Sequence, residues 1–155
     1  MEIWSFCERF YGRKSVATLC LQLQDQYQLN VGLIIWLCWH QAHNRFVSRE
    51  LFEQAKALSD AVYDPLILPL RSIRKQVLTA SLSEDRTIYQ HVLSAEILME
   101  KSLLLSLDES LTPKVEKKHD GSVFGLLDYF SLGKAENAEQ SARFLYANAL
   151  SSFSE

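Results

Sequence analysis

From Leu33 to Asp120 the chain contains no glycine. A β-sandwich or barrel carries turn residues about every 8–12 positions, so more than half of this 155-residue sequence does not suit one. Leucine and alanine outnumber valine, isoleucine and threonine by 37 to 19, which favours helix over strand. The length is that of one domain. A chain of this size buries roughly 70% of its unfolded surface and needs no metal or disulfide to hold it. With 48% hydrophobic and 23% charged residues, the composition excludes a disordered chain.

Apolar residues at i, i+3, i+4 and i+7 mark the helices. Ile3, Phe6, Cys7 and Phe10 share one face of a helix over 2–11, and Gly12 ends it. Ser15 is the expected cap of a second helix, with Val16, Cys20, Leu23 and Tyr27 on one face. Asp25 falls about 180° from Val16 at about 100° per residue, away from that face. Asn30 caps a third helix over 31–43, which is apolar all round and therefore expected at the centre of the fold. Ser48 and Glu50 start a fourth, carrying Leu51, Ala55, Leu58 and Val62.

Asp64-Pro65 reads as a cap followed by proline at the first position of a fifth helix, with Pro69 a second candidate start. That helix runs to about Thr79, with Leu66, Leu70, Ile73 and Val77 inward. Ser81 and Glu84 form a capping box before a long sixth helix from about Ser83 to Leu111, stopped by Thr112-Pro113. Residues 113–122 read as a polar loop. Val123–Phe130 and Glu136–Phe153 are expected helices, with Ala138, Ala142, Leu145 and Ala149 sharing a face of the second. The expected fold is all-α: a single domain over 1–155, six to eight helices bundled around the helix at 31–43, with a C-terminal helical segment over 123–153.

Composition and motifs exclude several functions. The net charge is −3 and the pI near 5.8, and the longest basic cluster (Lys114, Lys117, Lys118) is interrupted by Glu116. A nucleic-acid partner is therefore not expected. Cys7, Cys20 and Cys38 are odd in number and isolated, which supports neither a disulfide framework nor a metal site and points to a reducing, cytoplasmic compartment. The N-terminus lacks the pattern of a signal peptide. The apolar run Val31–Trp39 is far shorter than the roughly 20 residues of a membrane span, so no membrane association is expected.

His40 and His43 form an H-x-x-H without a metal-site context, and a helix-end or surface place is expected for them. Asp60 and Asp64 have the i, i+4 spacing of the aspartate-rich motifs of helical prenyl-transferring enzymes. Those enzymes need two such motifs and a longer chain, and Asp64 has a competing role as a cap. Trp4, Trp36, Trp39, Phe6 and Phe10 read as core anchors. No nucleophile elbow, phosphate loop or dinucleotide fingerprint is present, so neither an enzyme nor a cofactor is expected.

The informative positions are charges that fall where leucine belongs. With Val92 at 0° and about 100° per residue, Glu96 lies at about 40° and Glu100 at about 80°. Both are in the middle of the arc formed by Tyr89, Leu93, Met99, Leu103 and Leu107. On the preceding helix, with Leu70 at 0°, Arg74 lies at about 40°, among Ile67, Val77 and Leu78, and Arg71 lies at its edge at about 100°. The two helices are joined by a short link and are expected to pack antiparallel. A buried unpaired charge costs several kcal/mol, so Arg74 is expected to meet Glu96 or Glu100, which its planar fork can bind bidentately. Three readings stand: an ion-pair network that sets helix register, a polar pocket for a small ligand, or a docking surface covered by a partner.

Several segments recur in a known order. An aromatic start (Trp4, Phe6, Tyr11) precedes the segment Ala17 to Asp25, with its C-L-x-L-Q-D pattern, and Leu29 to Trp39. The P-L-R-x-x-R run from Pro69 to Lys75 and the E-x-x-x-E pattern of Glu96 and Glu100 come next. Over residues 3–111 the chain resembles a proteobacterial, mainly gammaproteobacterial, family of small proteins known only as a domain of unknown function. Gly32 stands where that resemblance leads one to expect asparagine. The resemblance implies a cytoplasmic bacterial protein and includes Arg71, Arg74, Glu96 and Glu100 in the shared pattern, but it supplies no activity, cofactor or catalytic residue.

The first reading of function is thus a non-enzymatic interaction or regulatory module with an unknown protein partner. The alternative is a small-molecule binder using Arg71, Arg74, Glu96 and Glu100 with Gln24 or Asp25. A pocket lined by these charges favours the ligand; a flat apolar patch rimmed by them favours the partner. A double-mutant cycle with Arg74→Ala and Glu96→Ala is expected to show non-additive losses of stability in urea titrations; strictly additive losses would sink the pairing.

Overall fold

The computed structural model describes residues 1–80, 86–115 and 124–154. Eight α-helices lie among the described residues: α1 (Ile3–Tyr11), α2 (Lys14–Tyr27), α3 (Val31–Ala42), α4 (Arg49–Val62), α5 (Leu68–Ala80), α6 (Thr87–Leu111), α7 (Leu126–Leu132) and α8 (Ala138–Ser151). The architecture is all-α, as expected. No helix among the described residues is long and apolar enough to cross a membrane.

The uniform apolarity of α3 decides the arrangement. Every residue from Leu33 to His40 is buried, and α3 touches α1, α2, α4, α6, α7 and α8. Its first turn is held by Asn30, whose side-chain oxygen accepts from the Gly32 and Leu33 amides at 2.9 and 3.4 Å. The same side chain donates to Ser59 Oγ at 2.8 Å, and the Asn30 amide donates to the Tyr129 hydroxyl at 2.8 Å. One buried N-cap thus ties α3 to α4 and α7. Ser48 caps α4 as expected, accepting from the Leu51 amide.

Around α3 the aromatic anchors pack against one another. Phe6 stacks on Phe10 and Phe153 at 5.2 Å and meets Trp39 at 5.3 Å. Phe52 stacks on Phe124 at 4.1 Å. Trp4 alone among the expected anchors is only partly buried. On α8, Leu145 and Ala149 are buried, and Ala138 and Ala142 pack against the core.

Several boundaries differ from the sequence reading. Ser15 lies inside α2, whose N-cap is Arg13; the Arg13 side chain bonds Asn148 and Ser151 on α8 and fixes the entry to α2. Asp64-Pro65 does not break the chain. A π-helical turn, Tyr63–Ile67, joins α4 to α5 without interruption. Pro65 and Pro69 each remove a helical N–H donor, and the wider turn accommodates them. The turn also changes which side chains face inward. Ile67, rather than Leu66, is buried, while Leu66 and Ile73 are exposed and Leu70 and Val77 half-buried.

The α6 helix starts at Thr87 rather than Ser83, because Arg86 adopts a left-handed conformation. The Ser81–Glu84 capping box lies outside the described residues. Leu111 ends α6 as expected, and a single 3₁₀ turn (Thr112–Lys114) comes after it. Most of the expected loop over 113–122 lies outside the described residues, and α7 begins at Leu126 rather than Val123.

His40 is not at a surface. It is fully buried beside Trp36, at 4.8 Å between ring centroids, because α3 is covered along its whole length. Neither ring nitrogen has a hydrogen-bond partner among the described residues. His43 sits at the α3 C-terminus, its Nδ1–H donating to the Trp39 carbonyl. Burial, with Arg45 and His43 adding to it, pushes the His40 pKa down to about 3. The unfolded chain therefore takes up a proton at higher pH than the folded one. Stability is complete above about pH 6.5 and is lost as pH falls toward 3, by at most about 1.4 kcal/mol per pH unit. Urea midpoints measured between pH 7 and 5 are expected to fall in the wild type and to fall less steeply in His40→Leu, where His43, also held below its ordinary value by burial, supplies the remaining slope; parallel slopes would remove His40 as a cause.

Candidate functional site

The charges expected to meet on α5 and α6 come together. Glu96 is 4% exposed and is gripped by two arginines. Arg71 Nε donates to Oε1 at 2.9 Å, and Arg74 Nε donates to Oε2 at 2.6 Å, with Arg74 Nη2 at 3.4 Å from Oε1. Arg71 continues the network, donating through Nη2 to Glu100 Oε1 at 2.7 Å and through Nη1 to the Tyr63 hydroxyl at 2.8 Å. Arg74 lies 5.9 Å from the centroid of the Tyr89 ring, and Arg71 lies 5.6 Å from that of Tyr63. The expected Arg74–Glu96 pair is therefore present, and Arg71 bridges both glutamates.

The environment separates the two acids. Burial alone would raise the Glu96 pKa, but hydrogen bonds from Arg74 and Arg71 outweigh it and hold the carboxyl below its ordinary value. Glu100 is shifted upward: burial, with the Glu96 charge adding to it, outweighs the charge and the single hydrogen bond of Arg71. The Arg71 guanidinium, which burial would discharge, is held charged by Glu96, Tyr63 and Glu100.

This network is one wall of a cavity of about 650 Å³. Four helices contribute stripes at helical spacing: Trp4, Cys7, Glu8 and Tyr11 from α1; Leu21, Gln24 and Asp25 from α2; Arg71, Arg74 and Lys75 from α5; and Leu93, Glu96, Ile97, Glu100, Leu103 and Leu104 from α6. Ile35 and the start of α3 close one side, and Tyr63 and Ile67 of the π turn another. Most of these groups are apolar, with a few convergent polar side chains, the general character of a small-molecule site. Gly32 lies at the α3 end, where an added Cβ would sit 3.1 Å from Asn30 Oδ1.

All five expected site residues line this cavity. Arg71, Arg74, Glu96 and Glu100 bond to one another, whereas Asp25 is exposed at the edge and has no ion-pair partner among the described residues. Trp4, Tyr11 and Tyr63 line it too, and sequence reasoning misses them as site residues. The i, i+4 spacing of Trp4 to Glu8 and of Tyr63 to Ile67, and the i, i+7 spacing of Trp4 to Tyr11, is a signal, but an ambiguous one. The α1 face that carries Trp4 and Tyr11 adjoins the core face, and helical spacing alone cannot tell which neighbour it meets. Asp60 is paired with Lys56 at 2.6 Å and stands apart from the cavity. No group of three or more metal-binding side chains occurs among the described residues.

Residues 2–107 match the model of a protein family described as a protein of unknown function (DUF2390). The matched span contains every residue that lines the cavity. Neither the curated proteins nor the solved structures contain a match.

Removal of Glu96 leaves two guanidinium groups without their shared acceptor. Glu96→Ala is expected to lose about 3–5 kcal/mol of stability in urea titration. Glu100→Gln, which keeps an acceptor for Arg71 in a more open position, is expected to lose less than about 1 kcal/mol. Equal losses would show that the network does not centre on Glu96.

Proposed function

The chain belongs to the DUF2390 family, and from that premise we propose that it is a non-enzymatic binding protein whose cavity holds a small amphipathic molecule. The observation that carries this reading is the cavity itself. Its volume of about 650 Å³ falls within the roughly 300–1,000 Å³ of drug-sized ligand sites. Its lining combines apolar side chains with Arg71, Arg74, Glu100, Gln24 and the Tyr11 and Tyr63 rings. A flat surface rimmed by the same charges would have favoured a protein partner instead.

Binding is preferred to turnover because the thiol and the most buried carboxylate along the wall are quenched. Burial, with Glu100 and Glu8 adding to it, pushes the Cys7 thiol up to about 12, which leaves little thiolate at neutral pH. Glu96 is committed on both oxygens. The three free, buried cysteines support a reducing, cytoplasmic location.

A protein-interaction role is the second reading, and the surface of α5 favours it. No residue of α5 is buried. Leu68, Ile73 and Leu78 of α5, Leu66 of the π turn, and Ile88 and Leu98 of α6 are exposed, so apolar side chains are open to a partner there.

The neutral fluorophore 1-aminoanthracene is expected to bind with a Kd on the order of micromolar. Leu21→Trp, a bulky change at an exposed position of the α2 wall, is expected to weaken binding at least about tenfold without moving Tm. Equal binding by both proteins would place the dye outside the cavity and favour the surface of α5.

A further inference from the structure

We propose that the ligand of this cavity is an organic cation, an ammonium group carried on an apolar body, with its charge received by Glu100 and by Asp25 and Glu8 at the edge. This inference rests on the reading of the cavity as a ligand site and adds the ligand's charge.

The argument is a balance of engaged and unengaged groups. Arg71, Arg74, Glu96 and Glu100 sum to zero, and the two guanidinium groups already spend their best donors on Glu96, Glu100 and Tyr63. An anion would have to compete with Glu96 for them. The start of α3 offers an anion little, because Asn30 Oδ1 already accepts from the Gly32 and Leu33 amides. Outside the network the lining charges are Glu8 and Asp25 against Lys75.

Acceptors, by contrast, remain open. Among the described residues only Oε1 of Glu100 is bonded, and Glu100 is the most exposed member of the network, with 38% of its side chain accessible. Neither Glu8 nor Asp25 has an ion-pair partner among the described residues. Aromatic faces complete the site. Trp4, Tyr11 and Tyr63 line the cavity, and aromatic rings attract cations through their negative faces. Two of these rings are already engaged, Trp4 by Lys101 Nζ at 5.3 Å from its centroid and Tyr63 by Arg71, which leaves Tyr11 as the ring with no cation over it among the described residues.

Three probes share one apolar body and differ in charge: 2-phenylethylammonium, 2-phenylethanol and 3-phenylpropionate. In calorimetric or ligand-observed NMR titrations at pH 7 the cation is expected to bind at least about tenfold more tightly than the anion. Glu100→Gln is expected to weaken the cation about tenfold and leave the alcohol unchanged, and Asp25→Asn to give a smaller loss of the same kind. Binding of the anion as tightly as the cation would overturn the assignment of charge, yet keep the cavity as a ligand site if Leu21→Trp still blocks the alcohol. A cation preference unmoved by both substitutions would also overturn the proposal, since the acids would not be its source. Failure of all three probes to bind would overturn it together with the ligand reading.

Discussion

A helix that is apolar on every side must be removed from water on every side, and α3 imposes that demand on the whole chain. The helices around it each turn one face toward it. A helix of ordinary width cannot use its full circumference in this way, so α1, α2 and α6 each retain a second face directed at their neighbours. The cavity lies where those second faces meet α5 and the π turn. It is bounded by the same helices that keep α3 dry, and its shape is a result of that duty. Asn30 sits at the junction. It satisfies the one polar end of α3 that the core must bury, and it also faces the cavity.

Within this frame Glu96 is the costly element. A carboxylate at 4% exposure recovers its desolvation only through good geometry, and a buried ion pair is seldom more stabilising than well-packed leucines. Its structural value is directional. Hydrogen bonds from two arginines constrain the axial position and rotation of α5 against α6, where half-buried aliphatic side chains would permit sliding. The lower half of α6, with Leu103, Leu104, Leu107 and Leu111, is held by the core. The upper half relies on α5, which buries no residue of its own, so the charged network supplies specificity there.

Much of this is legible in the sequence, and the limits have physical causes. Helical spacing and the absence of glycine point to an all-α chain, and the unbroken apolarity of Val31–Trp39 places α3 at the centre. Asn30 and Ser48 are recognisable because a capping side chain acts on the residues next to it. Glu96 and Arg74 are recognisable because a charge in an apolar arc requires a partner. The misreadings depend on distant contacts or on unusual backbone. Ser15 loses its capping role because Arg13 is held by α8, which lies far away in sequence. His40 reads as a polar end of a helix until α3 is seen to be covered throughout. Asp64-Pro65 has the pattern of a helix start, and only the fold shows a wider turn continuing through it. The cavity itself is invisible in the sequence, since spacing identifies faces but not which faces stay apart.

That wider turn has a consequence for how the family can vary. Because α4, the π turn and α5 form one uninterrupted rod from Arg49 to Ala80, the turn acts as a phase setting. Each residue added to or removed from it would rotate the whole of α5 by roughly 100° relative to α4. Such a change would carry Arg71 and Arg74 away from Glu96 and, where it falls before Ile67, would also displace that buried side chain. The length of the segment Tyr63–Ile67 is thus under a constraint separate from its side chains: insertions and deletions there would be filtered by the angular position of two arginines, even where every individual substitution is tolerated.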